Sequence, residues 1–236
     1  MIGMILRREL SDLRSQRAMV VMIFVFGVLL PVAAAWYLGS ALTADSTLDE
    51  SIYMWRAVAV LMCFMPSFLP AALSATNLAG EFEMRTLVPL LATPISNRAL
   101  FLGKMFSILL PALSVVLLSQ MIFYIATHNV EQLTDGASWR FYAILATATI
   151  GYYFLVVAIG FMVAYKVREI RNSQQYGALI MMPIMLGSMV GLGYSVVKLN
   201  LDHILYVTLP LCIIIVILAI TLVPTLWNRS KLAERF

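Results

Sequence analysis

The sequence predicts an all-α polytopic membrane protein with six transmembrane helices, preceded by an amphipathic helix at the membrane surface. Of its 236 residues, 62% are hydrophobic and 12% charged, whereas soluble domains run at about 45–50% and about 25%. Six stretches, each 24 to 27 residues long, contain no Asp, Glu, Lys or Arg. Thirteen of the sixteen basic residues fall in alternate connections between those stretches. A soluble chain of this composition would expose enough apolar surface to aggregate.

Residues 1–17 form the first element. Ile2, Ile5, Leu6, Leu10 and Leu13 fall within about 140° on a helical wheel, with Arg7, Arg8 and Arg14 on the other side. This pattern predicts an amphipathic helix lying in the interface. Glu9 stands on the apolar stripe, which is unusual for a carboxylate.

The uncharged run 18–44 follows. A signal peptide has an apolar core of about 7–15 residues, so this longer run is read as the first span. The remaining runs are 57–80, 105–130, 141–165, 172–197 and 203–228. A helix crossing a ~30 Å hydrocarbon core needs about 20 apolar residues, so each run makes one crossing. The in/out alternation of a barrel is missing, which leaves helices. Spans are placed at 18–42, 57–80, 105–127, 141–165, 174–197 and 204–227, within one transmembrane domain covering residues 1–236.

Segments 1–17, 81–104, 166–171 and 228–236 carry the thirteen basic residues, leaving only Arg56, Arg140 and Lys198 for the opposite side. The positive-inside rule then places both termini in the cytoplasm of a cell membrane.

The chemistry inside the spans is sparse. An intramembrane charge costs about 2.5–3.5 kcal/mol and usually marks an ion or proton path; the uncharged runs offer none, which argues against ion coupling and against a carboxylate enzyme. Cys63 and Cys212 are read as small apolar filler, and His128 and His203 lack metal-ligand spacing, so no metal site is expected. The lone Gly103-Lys104 pair lacks the upstream glycine of a phosphate-binding loop. The chain is therefore expected to be no enzyme and to hold no cofactor. Ser74, Asn77, Ser119, Gln120, Tyr152 and Ser188 are either interhelical hydrogen-bonding groups or the lining of a translocation path. Pro31, Pro66, Pro70, Pro111, Pro183, Pro210 and Pro224 predict kinks or helix ends, and Gly187-x-x-x-Gly191 with Gly193 offers a surface for close helix contact.

The connection 80–104 has more structure than joining two spans requires. Glu81 and Glu83 precede the apolar group Leu87, Val88, Leu90 and Leu91, and Thr93-Pro94 then breaks any helix. Ser96 is placed to cap a second helix. Six spans without a coupling charge or a nucleotide site suggest a passive body driven by another subunit, and this connection is where a driver would dock.

Glu81, Glu83, Thr86, Leu87, Leu90, Leu91, Thr93, Pro94, Ile95, Ser96, Gly103 and Lys104 resemble the loop between the second and third spans of type 2 ATP-binding-cassette exporter permeases. Arg85 replaces the usual glycine, and Pro89 interrupts a usually hydrophilic position. Arg7 to Arg14 is similar to that family's opening helix, with Glu9 at its acidic position, and 226–232 is similar to its closing basic segment.

The resemblance implies that residues 81–104 hold a coupling helix seated in a groove of a separate ATPase. Glu81, Glu83, Arg85 and Arg98 would make polar contacts there, Leu87, Leu90 and Leu91 would pack, and Thr86, Thr93 and Pro94 belong to the same ATPase-coupling set. It also implies two ATPase subunits that bind ATP and Mg, a second permease copy forming a homodimer or related heterodimer, and no nucleic acid. Short re-entrant helices between the fifth and sixth spans would come from 194–210. The alternative reading is a non-transporting sensor or assembly scaffold driven by the same kind of ATPase.

Overall fold

The computed structural model describes residues 17–41, 48–84, 97–127, 138–167, 169–198 and 201–226. Residues 1–16 of the amphipathic helix expected at 1–17, with Arg7, Arg8, Glu9, Leu13 and Arg14, lie outside those residues, as does the tail 228–236. The first pass comprises α1 (Arg17–Phe24), a π-helical segment (Val25–Leu29) and α2 (Leu30–Ala41). The second comprises α3 (Leu48–Phe64), a 3-10 turn (Met65–Ser67) and α4 (Phe68–Glu83). The third to sixth are α5 (Asn97–Thr127), α6 (Trp139–Val167), α7 (Ile170–Lys198) and α8 (Leu201–Leu226). Six helices are long and apolar enough to cross a membrane, and no strand occurs among the described residues.

The helices overrun the apolar stretches that announce them. α5 begins at Asn97 rather than at 105, and its 31 residues reach about 45 Å at ~1.5 Å per residue. The hydrocarbon core accounts for only ~30 Å of that length. Backbone hydrogen bonding continues for as long as the residues tolerate a helix, whether or not they are apolar.

The same tendency corrects the expectation of re-entrant helices at 194–210. α7 runs unbroken to Lys198 and α8 starts at Leu201. The described residues of this region simply extend the fifth and sixth passes.

The prolines act unequally. Pro31 has no N–H to donate and its ring crowds the carbonyl four residues earlier. Just before it the ladder widens, and the Leu30 N–H reaches back to Val25 O. Pro66 sits in the 3-10 turn between α3 and α4, whereas Pro111 and Pro183 lie inside uninterrupted helices.

α6 is the central helix, packed against α4, α7 and α8. Two glycines permit its closest approaches. A Cβ on Gly151 would stand 3.1 Å from Cys212 Cα in α8, and one on Gly160 would stand 2.7 Å from Ser74 Cβ in α4. The predicted contact surface at Gly187, Gly191 and Gly193 is not used in this way, because a Cβ at any of the three meets nothing within 4 Å. Spacing identifies small residues on one helix face, but only the partner's position makes them a contact.

The two ends of the bundle differ. At the end away from residues 85–96, Trp55, Phe123 and Phe141 are buried together, with ring centroids 5.8 and 5.4 Å from the Trp55 ring. The Trp55 indole donates to Thr127 Oγ1 at 3.0 Å, joining the second and third passes. Thr127→Val keeps the shape but strands that buried N–H. It is expected to cost about 1–3 kcal/mol, seen as a lower midpoint of thermal unfolding in detergent with unchanged helical content. The Arg140–Asp202 pair at the same end, 3.0 Å apart, is about half exposed on both sides and adds little.

Candidate functional site

At the opposite end, α4 finishes with Asn77, Glu81 and Glu83 facing two other passes. Asn77 and Glu81 are one helical turn apart, so they share a face. Opposite them stands Lys104 of α5, whose side chain is 1% exposed. Its Nζ donates to Glu81 Oε1 at 2.6 Å and to Asn77 Oδ1 at 2.9 Å. A bare ammonium would not be tolerated there, but a carboxylate and an amide oxygen at hydrogen-bond distance supply the charge and the lone pairs it needs.

Glu83 makes a second link. Its Oε2 accepts the backbone N–H of Ile170 at 3.3 Å, at the start of α7. A carboxylate at a helix N-terminus satisfies an otherwise orphan donor and meets the positive end of the helix dipole. The end of α4 is thereby fastened to the start of the third pass and to the start of the fifth.

By sequence position Glu81, Glu83 and Lys104 belong to the connection between the second and third spans. Within this chain both carboxylates also reach its own helices, and Lys104 lies inside the bundle. Asn77 and Glu81 one turn apart, facing the lone Lys of the 97–127 helix, form the signal that identifies the cluster. Arg85, Thr86, Leu87, Leu90, Leu91, Thr93 and Pro94 lie outside the described residues. Arg98 falls in the first turn of α5.

The uncharged polar residues do not share one surface. Ser74 is buried and donates to Ala71 O at 2.9 Å, under the close approach of Gly160. Gln120 donates to Ala59 O at 2.9 Å and Cys63 Sγ at 3.2 Å, which ties α5 to α3. The Ser119 hydroxyl is buried with no hydrogen-bond partner among the described residues.

Tyr152 and Ser188 line open space. A cleft of about 320 Å³ lies between α1, α4, α6 and α7, lined in part by Ser67, Tyr152, Gln174 and Met181. A second, of about 400 Å³, lies between α3, α6, α7 and α8, lined in part by Phe64, Thr147, Tyr152, Ser188 and His203. Tyr152 alone among the described residues borders both. Its ring packs edge-on against Phe64, with centroids 4.8 Å apart.

A family model described as ABC-2 family transporter protein matches residues 5–172. That range contains the first four passes, the whole 85–96 connection and the Glu81–Lys104 pair. No curated protein matches the chain.

Proposed function

The chain belongs to the ABC-2 transporter family, and from that premise we propose that it is the membrane subunit of an ATP-driven exporter whose energy enters through residues 85–96. Membership makes it a multi-pass, non-catalytic membrane subunit that works with an ATP-binding-cassette ATPase. ATP and Mg bind in the ATPase, two copies of which pair with two permease chains, and both termini face the cytoplasm. The basic residues concentrated beside the connection support that orientation.

The observation that carries the reading is the fastening of both ends of the connection. Glu81, just before it, and Lys104, just after it, are joined by a buried 2.6 Å ion pair. A push on the intervening residues is then not absorbed by splaying of the second and third passes. It moves the pair as a unit, and through Glu83 it reaches α7. Glu81 and Glu83 also hold the connection, and the surface offered to the ATPase comes from Glu81, Glu83, Arg85, Thr86, Leu87, Leu90, Leu91, Thr93, Pro94 and Arg98.

Leu87→Asp combined with Leu91→Asp places two carboxylates where apolar packing is required. The double variant is expected to insert normally yet lose both ATPase association and transport in vesicles containing the two subunits. ATPase pull-down and cargo accumulation measured side by side decide the matter, and unchanged values for both would overturn the proposal.

A further inference from the structure

We propose that the two clefts are halves of one binding passage for an uncharged, hydroxyl-bearing amphiphile, with the Phe64–Tyr152 ring pair as the partition between them. The proposal rests on the permease reading and adds to it a ligand class and a gate.

Position comes first. Along α7, the first cleft uses Gln174 to Met185 and the second uses Ser188 to Ser195. Along the antiparallel α6 the order reverses, with Val156 in the first and Thr147 in the second. The clefts are therefore stacked end to end along the pass. From Gln174 to Ser195, α7 rises about 30 Å at ~1.5 Å per residue, which is the thickness of a hydrocarbon core.

The lining selects the ligand. Met22, Met181, Met182 and Met185 give the first cleft a flexible, polarizable wall that fits apolar bodies of varied shape. No Asp, Glu, Lys or Arg lines either cleft among the described residues. A charged ligand would lose its hydration there and find no counter-charge. In the second cleft the hydroxyls of Thr147 and Ser195 already donate to carbonyls of their own helices, at 2.9 and 2.7 Å. Each oxygen still offers lone pairs, so the wall accepts hydrogen bonds from a ligand's O–H groups.

The partition follows from the break in the second pass. Phe64 ends α3 at the 3-10 turn, and its ring meets Tyr152 where the two clefts abut. The helix is weakest in hydrogen bonding at such a turn, so Phe64 is placed to swing away from Tyr152 when α4 or α7 shifts. Both helices are linked by Glu83 at their 85–96 ends.

The test uses dodecyl glucoside, which has an apolar body and a neutral polyhydroxyl head. A diazirine-bearing form is photolysed with the purified full chain in vesicles of neutral phospholipid, without ATPase. Adducts are expected on Met181, Met185 and Ser188. Excess unlabelled dodecyl glucoside should reduce them about tenfold, as a saturable site held at about nine times its Kd requires, while dodecyltrimethylammonium should not compete. Adducts spread evenly over outward residues such as Trp36 and Val190, insensitive to competitor, would overturn the binding site.

For the partition, leaflet-to-leaflet movement of a fluorescent dodecyl glucoside is followed by dithionite quenching without nucleotide. Tyr152→Ala is expected to raise this leak about tenfold, equivalent to about 1.4 kcal/mol off a barrier, while Tyr152→Phe leaves it low. Phe64→Ala removes the other ring and is expected to give the same leak, which keeps the test open should one variant fold poorly. No leak in either alanine variant, with cleft adducts retained, would overturn the gate. Because labelling needs no ATPase, cleft adducts in a chain that binds no ATPase would refute the permease reading alone.

Discussion

Replacing Glu81 with leucine is expected to cost about 3–5 kcal/mol of stability, because it leaves a buried charge without its carboxylate. The loss should be similar from the other side. The Lys104 side chain is 1% exposed, and although that of Glu81 is 21% exposed its Oε2 is buried. Lys104→Met therefore also leaves a buried charge without its partner, and about 3–5 kcal/mol is expected. Asn77 remains beside Lys104 in the Glu81 variant, but a neutral amide oxygen compensates an ammonium far less than a carboxylate does. Glu81→Leu combined with Lys104→Met removes both charges and should recover most of the loss. Thermal unfolding of the purified protein in detergent gives the four values of the cycle. Strictly additive losses would show that the two groups do not interact. A stable but inactive double variant would separate the pair's role in transmission from its role in folding.

Gly160→Val should be nearly as damaging, at about 3 kcal/mol or more. The obstacle is Ser74 Cβ, 2.7 Å from where the new Cβ would stand. That atom is bonded to the α4 backbone and cannot swing aside, so α4 and α6 must move apart. Ser74→Gly opens the same space from the other helix and should partly rescue Gly160→Ala. Gly187→Val is the control. Nothing lies within 4 Å of a Cβ there, and a change within about 0.5 kcal/mol is expected. Equal losses at the two glycines, read as the fraction of monodisperse protein after extraction, would contradict the packing described.

Much of the architecture is legible in the sequence. Charge-free runs of membrane-spanning length announce helices, because a bilayer accepts little else, and all six passes follow from them. Less legible were the places where a physical effect depends on a partner far along the chain. Lys104 reads as a loop cation from its neighbours in sequence, yet Asn77 and Glu81 make its burial tolerable. Glu83 is a surface carboxylate, as its sequence suggests, but only the fold brings the first N–H of α7 alongside it. The glycines of α7 look like a contact surface and meet nothing, whereas Gly151 and Gly160 carry no motif and make the closest approaches. Of the polar residues weighed as a path, Asn77 and Gln120 bond across helices, and Tyr152 and Ser188 border clefts. Residue type alone does not distinguish those fates.

The ion pair between Glu81 and Lys104 also bears on how the chain enters the bilayer during synthesis. The two residues are 23 apart in sequence, and at about 5–20 residues per second they leave the ribosome about 1–5 s apart. For that interval the end of the second pass carries a carboxylate awaiting its cation. Once Lys104 emerges, the second and third passes can partition into lipid with that carboxylate paired. In the Lys104→Met chain the carboxylate never meets its cation, so slower glycosylation-mapped insertion of the third pass is expected during cell-free translation.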